Sequence, residues 1–237
     1  MDPVVTPLHP LFAAKITGVD LRRPIDEPMQ LAIEHAMDTY AVCVLPGQDL
    51  EDEELIAFSR LYGPLEVVPR IGRKSRAPAL ERRIAHKEIF DISNLTESGR
   101  IRSEKDERSA FHLANLLWHT DSSFQQQSAS WSMLHARVIP PSGGDTEFAD
   151  TRAAYDALPN AMKRELEGLV AEHSLWHSRA KLGGYVPTEE ERTLCTPARH
   201  KLVRRHPASG RNALYIASHV SHIIGMPVEE GRRCSQS

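Results

Sequence analysis

Trp131-Ser132-Met133-Leu134-His135-Ala136-Arg137-Val138 runs directly into Ile139-Pro140-Pro141-Ser142-Gly143-Gly144. The first run reads as a β-strand. The second is a strong stop, because proline lacks the amide donor of a ladder and glycine accepts turn conformations. Working outward, the chain from Leu113 to Asp150 reads as strand, turn, strand, turn, strand. Further on, 199–206 and 212–218 read as a hairpin closed by Pro207-Ala208-Ser209-Gly210, and a short strand is expected at 89–93. Upstream lies helical patterning. Met29, Ile33, Ala36, Met37 and Tyr40 recur at helical spacing over 27–40, followed by a short buried strand, Ala41–Leu45, stopped by Pro46-Gly47. A helix is expected over 51–62, with acids in its first turn and Gly63-Pro64 as its stop, and two more over 151–158 and 160–170, Pro159 opening the second. Helices first, then mostly strands with a helical insertion, imply an α+β fold with an antiparallel sheet or barrel rather than a βαβ alternation.

The chain has 237 residues, enough for one domain spanning 1–237 with a full core. Hydrophobic residues make up 41% and charged residues 26%, which excludes collagen-like and disordered classes. A net charge of −3 argues against a broad nucleic-acid-binding surface. No apolar run is long enough to span a membrane, and no secretory leader is recognisable, so a cytoplasmic protein is expected. Cys43, Cys195 and Cys234 are far apart with no CxxC spacing, which points to reduced thiols. No glycine-rich phosphate loop is present. The stretch 66–110 is long, polar and rich in Lys and Arg between Arg70 and Lys87. It reads either as a solvated loop or as a lid over an anionic substrate.

The chemistry concentrates in Asn115-Leu116-Leu117-Trp118-His119-Thr120-Asp121. His119 and Asp121 are two apart, and on a strand such residues project from the same face. An imidazole and a carboxylate so placed can bind one metal ion at adjacent positions. With a further histidine they would form the 2-His-1-carboxylate triad of non-haem Fe(II) oxygenases. A surface hydrogen bond between the two is the plainer alternative. Downstream, Gly143-Gly144-Asp145-Thr146 places a hydroxyl able to donate to a carboxylate just after a tight turn.

Taken in order, Trp118-His119-Thr120-Asp121-Ser122-Ser123-Phe124, Pro140-Pro141-Ser142-Gly143-Gly144-Asp145-Thr146, Tyr155-Asp156-Ala157-Leu158-Pro159 and Val203-Arg204-Arg205-His206-Pro207 resemble the Fe(II)/2-oxoglutarate-dependent dioxygenases of the taurine and dichlorophenoxyacetate type. Asp121-Ser122-Ser123-Phe124 and Ser218-His219-Val220-Ser221-His222 look closer to the dichlorophenoxyacetate side. The resemblance implies a double-stranded β-helix (jelly roll) with flanking helices. It implies His119 and Asp121 as iron ligands, Thr146 at a carboxylate of 2-oxoglutarate, and Asn115 near the substrate. The implied reaction uses O2 to hydroxylate a small anionic organic acid and releases succinate and CO2. A small-molecule substrate is therefore the expected partner, with no nucleic acid and no membrane.

The family's third ligand, a distal histidine, and the arginine that follows it have no match here, so the C-terminal strands of the jelly roll are expected to be missing. This leaves a second reading, a catalytically impaired relative acting at most in binding or assembly, and it makes a homo-oligomer through open strand edges conceivable. His219 and His222, three apart, are weak substitutes for the missing ligand and read as polar residues at a strand end. His173 and His177 read as solvated, His135 as a packed or hydrogen-bonded strand residue, and Arg204, Arg205 and Arg211 as surface charges.

Overall fold

The computed structural model describes residues 3–67, 83–96, 98–103 and 107–227. Much of the Lys/Arg-rich part of the 66–110 insertion, and the Gly231 to Ser237 end with Cys234, lie outside the described residues. In chain order the elements are β1 (Val4–Pro7), β2 (Ala14–Thr17), α1 (Glu27–Tyr40), β3 (Cys43–Val44), α2 (Asp52–Arg60), α3 (Glu107–Leu113), a 3-10 turn (Ala114–Leu116), α4 (Thr151–Ala157), α5 (Asn160–Leu166), β4 (Val170–His173), α6 (Leu175–Gly183), α7 (Glu189–Leu194), β5 (Ala198–Lys201), β6 (Val203–Arg205), β7 (Asn212–Leu214) and β8 (Val220–Ile223). They fall into two compact units, one of residues 1–65, 133–158 and 205–213, the other of 66–132, 159–204 and 214–237.

In the first unit β1 and β2 form an antiparallel hairpin with Val5 opposite Ile16, and β3 runs parallel to β2. Helix α1 starts where Asp26 accepts from the Met29 amide at 3.0 Å, leaving one fewer unmet donor in the first turn. It ends at Ala41, held at φ +62 by an amide bond back to the Met37 carbonyl, and the chain then passes into β3. Helix α2 opens with a reciprocal capping box between Glu51 and Glu54. The sheet and both helices meet over a core of Ile16, Leu21, Ile33, Ala36, Leu50 and Phe58.

The segment 133–150 departs from the sequence reading: no strand forms there, and the expected strand at 89–93 is also irregular. The side chains nevertheless alternate as a strand's would. Met133 packs on the core, His135 Nε2 bonds the Gln48 carbonyl at 3.1 Å and Arg137 pairs with Asp52, while Leu134 and Val138 are exposed between and beyond them. A strand requires a neighbouring backbone as well as a pattern, and among the described residues no ladder reaches this segment. His135 is hydrogen-bonded as expected, but not on a strand.

In the second unit β4 is the centre of an antiparallel sheet, with β5 on one side and β8 on the other. The hairpin expected over 199–206 and 212–218 forms in part: it turns at 207–210, but only β6 and β7 pair, because 198–201 is drawn off as β5 against β4 and 215–218 is irregular. A second core gathers Phe111, Leu175, Trp176, Tyr185 and Cys195. Tyr185 donates to the Glu191 carboxylate at 2.8 Å, and Glu191 also caps α7 with Thr188.

His173, expected to be solvated, is 1% exposed. It stacks on Tyr215 with ring centroids 5.1 Å apart and meets His200 edge-on, and neither ring nitrogen has a hydrogen-bond partner. The misreading has a plain cause: His173 and His177 are four apart, but β4 ends at the first and α6 contains the second. Burial pushes the His173 imidazole down to about 4, with the charges of His200 and Arg204 acting in the same direction. The unfolded chain therefore takes up this proton as pH falls through about 6.5, whereas the folded chain resists until about 4. Acidification across that window is expected to remove roughly 3 kcal/mol of stability through this residue alone. His173→Phe keeps the ring stack and cannot titrate, so its urea midpoint should fall less steeply between pH 6.5 and 4 than that of the parent. Parallel curves for the two proteins would rule out this assignment.

Candidate active site

The segment carrying His119 leaves the 3-10 turn at Leu117, whose backbone is extended at φ −80 and ψ 143. The Trp118 carbonyl accepts from the Ser218 amide at 2.9 Å, and the His219 carbonyl accepts from the Ser174 amide at 2.7 Å. These two backbone bonds tie the 117–121 stretch, the approach to β8 and the start of α6 into one cluster. Asp121 opens a turn in which Ser122 takes a left-handed conformation, φ +54. His119 and Asp121 are thus not on a strand, contrary to the sequence reading, because local turns and the Ser218 bond take up the backbone. The extended stretch up to His119 still lets the two side chains converge.

His119 Nε2 lies 3.3 Å from Asp121 Oδ1. His119 Nδ1 lies 2.7 Å from the Leu117 carbonyl oxygen. A carbonyl can only accept, so Nδ1 carries the proton in the neutral ring and Nε2 is left with its lone pair. Metal-binding histidines are commonly oriented this way, with the second nitrogen donating to a carbonyl or carboxylate. Bonds of about 2.1 Å to one ion would put neighbouring donor atoms about 3 Å apart, close to the separation seen. The pair therefore fits a divalent metal in donor type, tautomer and spacing. When the ring is protonated Nε2 donates to Asp121; that bond raises the proton affinity of His119 and, helped by Ser132, lowers that of Asp121, so a metal ion binding here would displace a proton. Among the described residues no group of three or more His, Cys, Asp and Glu side chains gathers at a metal-sized point.

The sequence suggests a polar residue at a strand end for His219. It is instead 3% exposed, directly before β8, with its ring 6.0 Å from that of His119 and 5.2 Å from that of Phe124. Burial, with the nearby Arg179 charge, pushes its imidazole down to about 3. His222 lies on β8 beside Glu172, away from this cluster in register. Asn115 is half-buried, and its Oδ1 accepts from the Arg179 guanidinium at 2.7 Å. Arginine can only donate, which fixes the amide orientation and turns the Asn115 NH2 elsewhere. Sequence reading missed Arg179 altogether. Thr146 belongs to the first unit, in the exposed irregular stretch 145–149.

Comparison with known proteins decides the ancestry. Residues 5–235 match the model of the Taurine catabolism dioxygenase TauD, TfdA family. This chain belongs to that family. It is 46% identical over 232 residues to the alpha-ketoglutarate-dependent 2,4-dichlorophenoxyacetate dioxygenase of Cupriavidus pinatubonensis, covering 98% of this chain and 79% of the relative. It is 34% identical to the (S)-phenoxypropionate/alpha-ketoglutarate-dioxygenase of Sphingobium herbicidovorans, covering 98% of this chain and 76% of the relative. The crystal structure of AAD-2 in complex with Mn(II) and N-oxalylglycine superposes with a TM-score of 0.86 at 38% identity, over 99% of this chain and 82% of that one.

The TauD/TfdA jelly roll is accordingly the fold of this chain, and Fe(II), 2-oxoglutarate and O2 are its cofactor and co-substrates. The relatives are enzymes by name, which favours a dioxygenase over a binding or assembly protein. Among the described residues no helix is long and apolar enough to cross a membrane.

Proposed function

We propose that His119 and Asp121 hold the iron, that Thr146 binds a carboxylate of 2-oxoglutarate, that Asn115 borders the substrate, and that this substrate is an aryloxyalkanoate- or sulfonate-like acid. The observation that carries the reading is the 3.3 Å approach of His119 Nε2 to Asp121 Oδ1, with His119 Nδ1 already engaged by Leu117. When bound, iron supplies the redox chemistry by which 2-oxoglutarate is split to succinate and CO2 while a substrate C–H bond is hydroxylated. The Leu117 carbonyl accepts from Nδ1 and so aims Nε2, the nitrogen that would bind the metal once it gives up its proton. The Asp121 carboxylate supplies negative charge beside it. The Arg179 bond fixes the Asn115 amide, so its NH2 group is available to an acceptor on the substrate. The aryloxy class is favoured because two of the relatives are named for such acids.

The test is succinate formation by the chain with Fe(II), ascorbate and 2-oxoglutarate, comparing 2,4-dichlorophenoxyacetate, (S)-2-phenoxypropionate and taurine. Iron-dependent release stimulated by an aryloxy acid is expected. Stimulation by none of the three acids would remove the substrate class, and release without iron would remove the metal assignment. Thr146→Val is expected to raise the KM for 2-oxoglutarate roughly tenfold, the scale of one lost hydrogen bond to a charged group, with little change in the KM for the acid. An unchanged 2-oxoglutarate KM would take Thr146 out of the site.

A further inference from the structure

Arg179, on α6, is 8% exposed. Its guanidinium lies over the Phe111 ring, 4.4 Å from the centroid, and one terminal nitrogen donates to Asn115 at 2.7 Å. Its Nε is buried with no hydrogen-bond partner, and among the described residues no carboxylate forms an ion pair with it. A buried cation without a counter-ion is costly, and proteins that retain one generally pair it or bind an anion against it. The charge sits beside the metal-site candidates. The partner Asn115 lies four residues before His119, and α6, which carries Arg179, is tied at its start to the His219 carbonyl through the Ser174 amide. Burial lowers the guanidinium to about 10, so it remains a cation at neutral pH.

Other buried polar groups in the second unit are weaker candidates. His173 and Tyr215 also have ring or hydroxyl atoms without hydrogen-bond partners, but they stack on each other, and burial keeps the His173 imidazole neutral. Arg179 combines burial, an unmet donor, a fixed charge and a direct bond to Asn115, four residues before His119. Its phenyl backing is also informative. The Phe111 ring fixes one face of the planar fork, so an incoming group must meet its donor edge, where a carboxylate can accept two hydrogen bonds side by side.

We propose that Arg179 anchors the carboxylate of the organic-acid substrate beside the His119–Asp121 pair, with Asn115 and Phe111 fixing the orientation of the guanidinium. The inference rests on the assignment of that pair as the reaction centre. Such an anchor selects acids over neutral molecules of the same shape and sets which carbon is presented to the metal.

The experiment is a binding titration by calorimetry on the chain without metal, which reads Arg179 independently of turnover. The probes are 2,4-dichlorophenoxyacetate, its neutral counterpart 2-(2,4-dichlorophenoxy)ethanol, and N-oxalylglycine in place of 2-oxoglutarate. The parent chain should bind the acid at least about tenfold more tightly than the alcohol, the scale of one hydrogen bond to a charged group. Arg179→Gln should weaken the acid by between about tenfold and a hundredfold, leaving the alcohol and N-oxalylglycine unchanged. Arg179→Lys keeps the charge but not the fork, and should lose less. In turnover the same variants should raise the KM for the acid more than they lower kcat.

Equal loss for acid and alcohol would make Arg179 a structural support of Asn115 and overturn the proposal. Loss confined to N-oxalylglycine would assign the anion to the co-substrate and overturn it as well. If Arg179→Gln does not fold, the acid-to-alcohol ratio of the parent and the Lys variant decides, and equal affinities in the parent overturn it. A chain that binds the acid through Arg179 yet forms no succinate with iron would instead count against the proposed function alone.

Discussion

Asp121→Ala should abolish iron-dependent succinate formation while leaving the melting temperature within a degree or two of the parent. The two halves of this expectation have different physical origins. Removing the carboxylate takes away an anionic donor 3.3 Å from His119 Nε2 and the bond that favours a charged, oriented pair. Loss of groups that only orient a metal ligand commonly costs about 10- to 100-fold, and loss of a ligand itself should exceed that. Stability should hardly change, because the Asp121 side chain is half exposed and sits in a turn. His119→Ala should behave alike, and equilibrium dialysis with Mn(II) should show weakened binding in both variants. Asp121→Asn keeps shape and hydrogen bonding but not charge, so it separates geometry from electrostatics. Undiminished turnover in Asp121→Ala would remove the metal site from this position.

The His119–Asp121 pair was legible because its information is local. Two residues apart on an extended backbone converge whether or not a ladder forms, so the two side chains meet even though the strand under them does not form. The same distinction explains the 133–150 segment. Met133, His135 and Arg137 alternate against Leu134 and Ala136 as the sequence suggests, but strand pairing depends on which distant backbone lies alongside. Helix α1 was legible for the opposite reason: its cap, its apolar stripe and its hydrogen bonds all lie within one stretch. Arg179 and His219 could not be found this way. Each is an ordinary polar residue until the fold brings His219 against His119 and Arg179 against Asn115, and only burial with an unmet nitrogen distinguishes it. A rule for reading related chains follows: a charged residue in the first turns of a helix that starts directly after a central strand merits attention, because the strand end draws it inward.

Arg152→Met is expected to be among the most destabilising single substitutions in the first unit, yet nothing in its surroundings concerns catalysis. Asp150 caps α4, and its carboxylate lies 3.1 Å from Arg152 Nε, both side chains being almost fully buried. The other face of the guanidinium reaches across the unit: Arg152 donates to the carbonyls of Asp38 at 2.7 Å and Thr39 at 3.3 Å. Those carbonyls belong to the last turn of α1, where backbone acceptors have no partner inside the helix and the helix dipole favours a cation. One arginine thus satisfies the end of α1 and neutralises the cap of α4. Removing it leaves the buried Asp150 carboxylate with only the more distant Arg211, 3.9 Å away, and strands two acceptors in a dry environment, a combination that costs about 3–5 kcal/mol. In a chain of this size that corresponds to a melting temperature lower by roughly 10 °C. Asp150→Ala should cost a comparable amount, since it strands the cation and removes the cap. The double variant should lose less than the sum of the two, because neither charge is then left alone. Thermal and urea unfolding of the four proteins reads all of these values. Additive losses would mean that the two side chains act independently despite their contact.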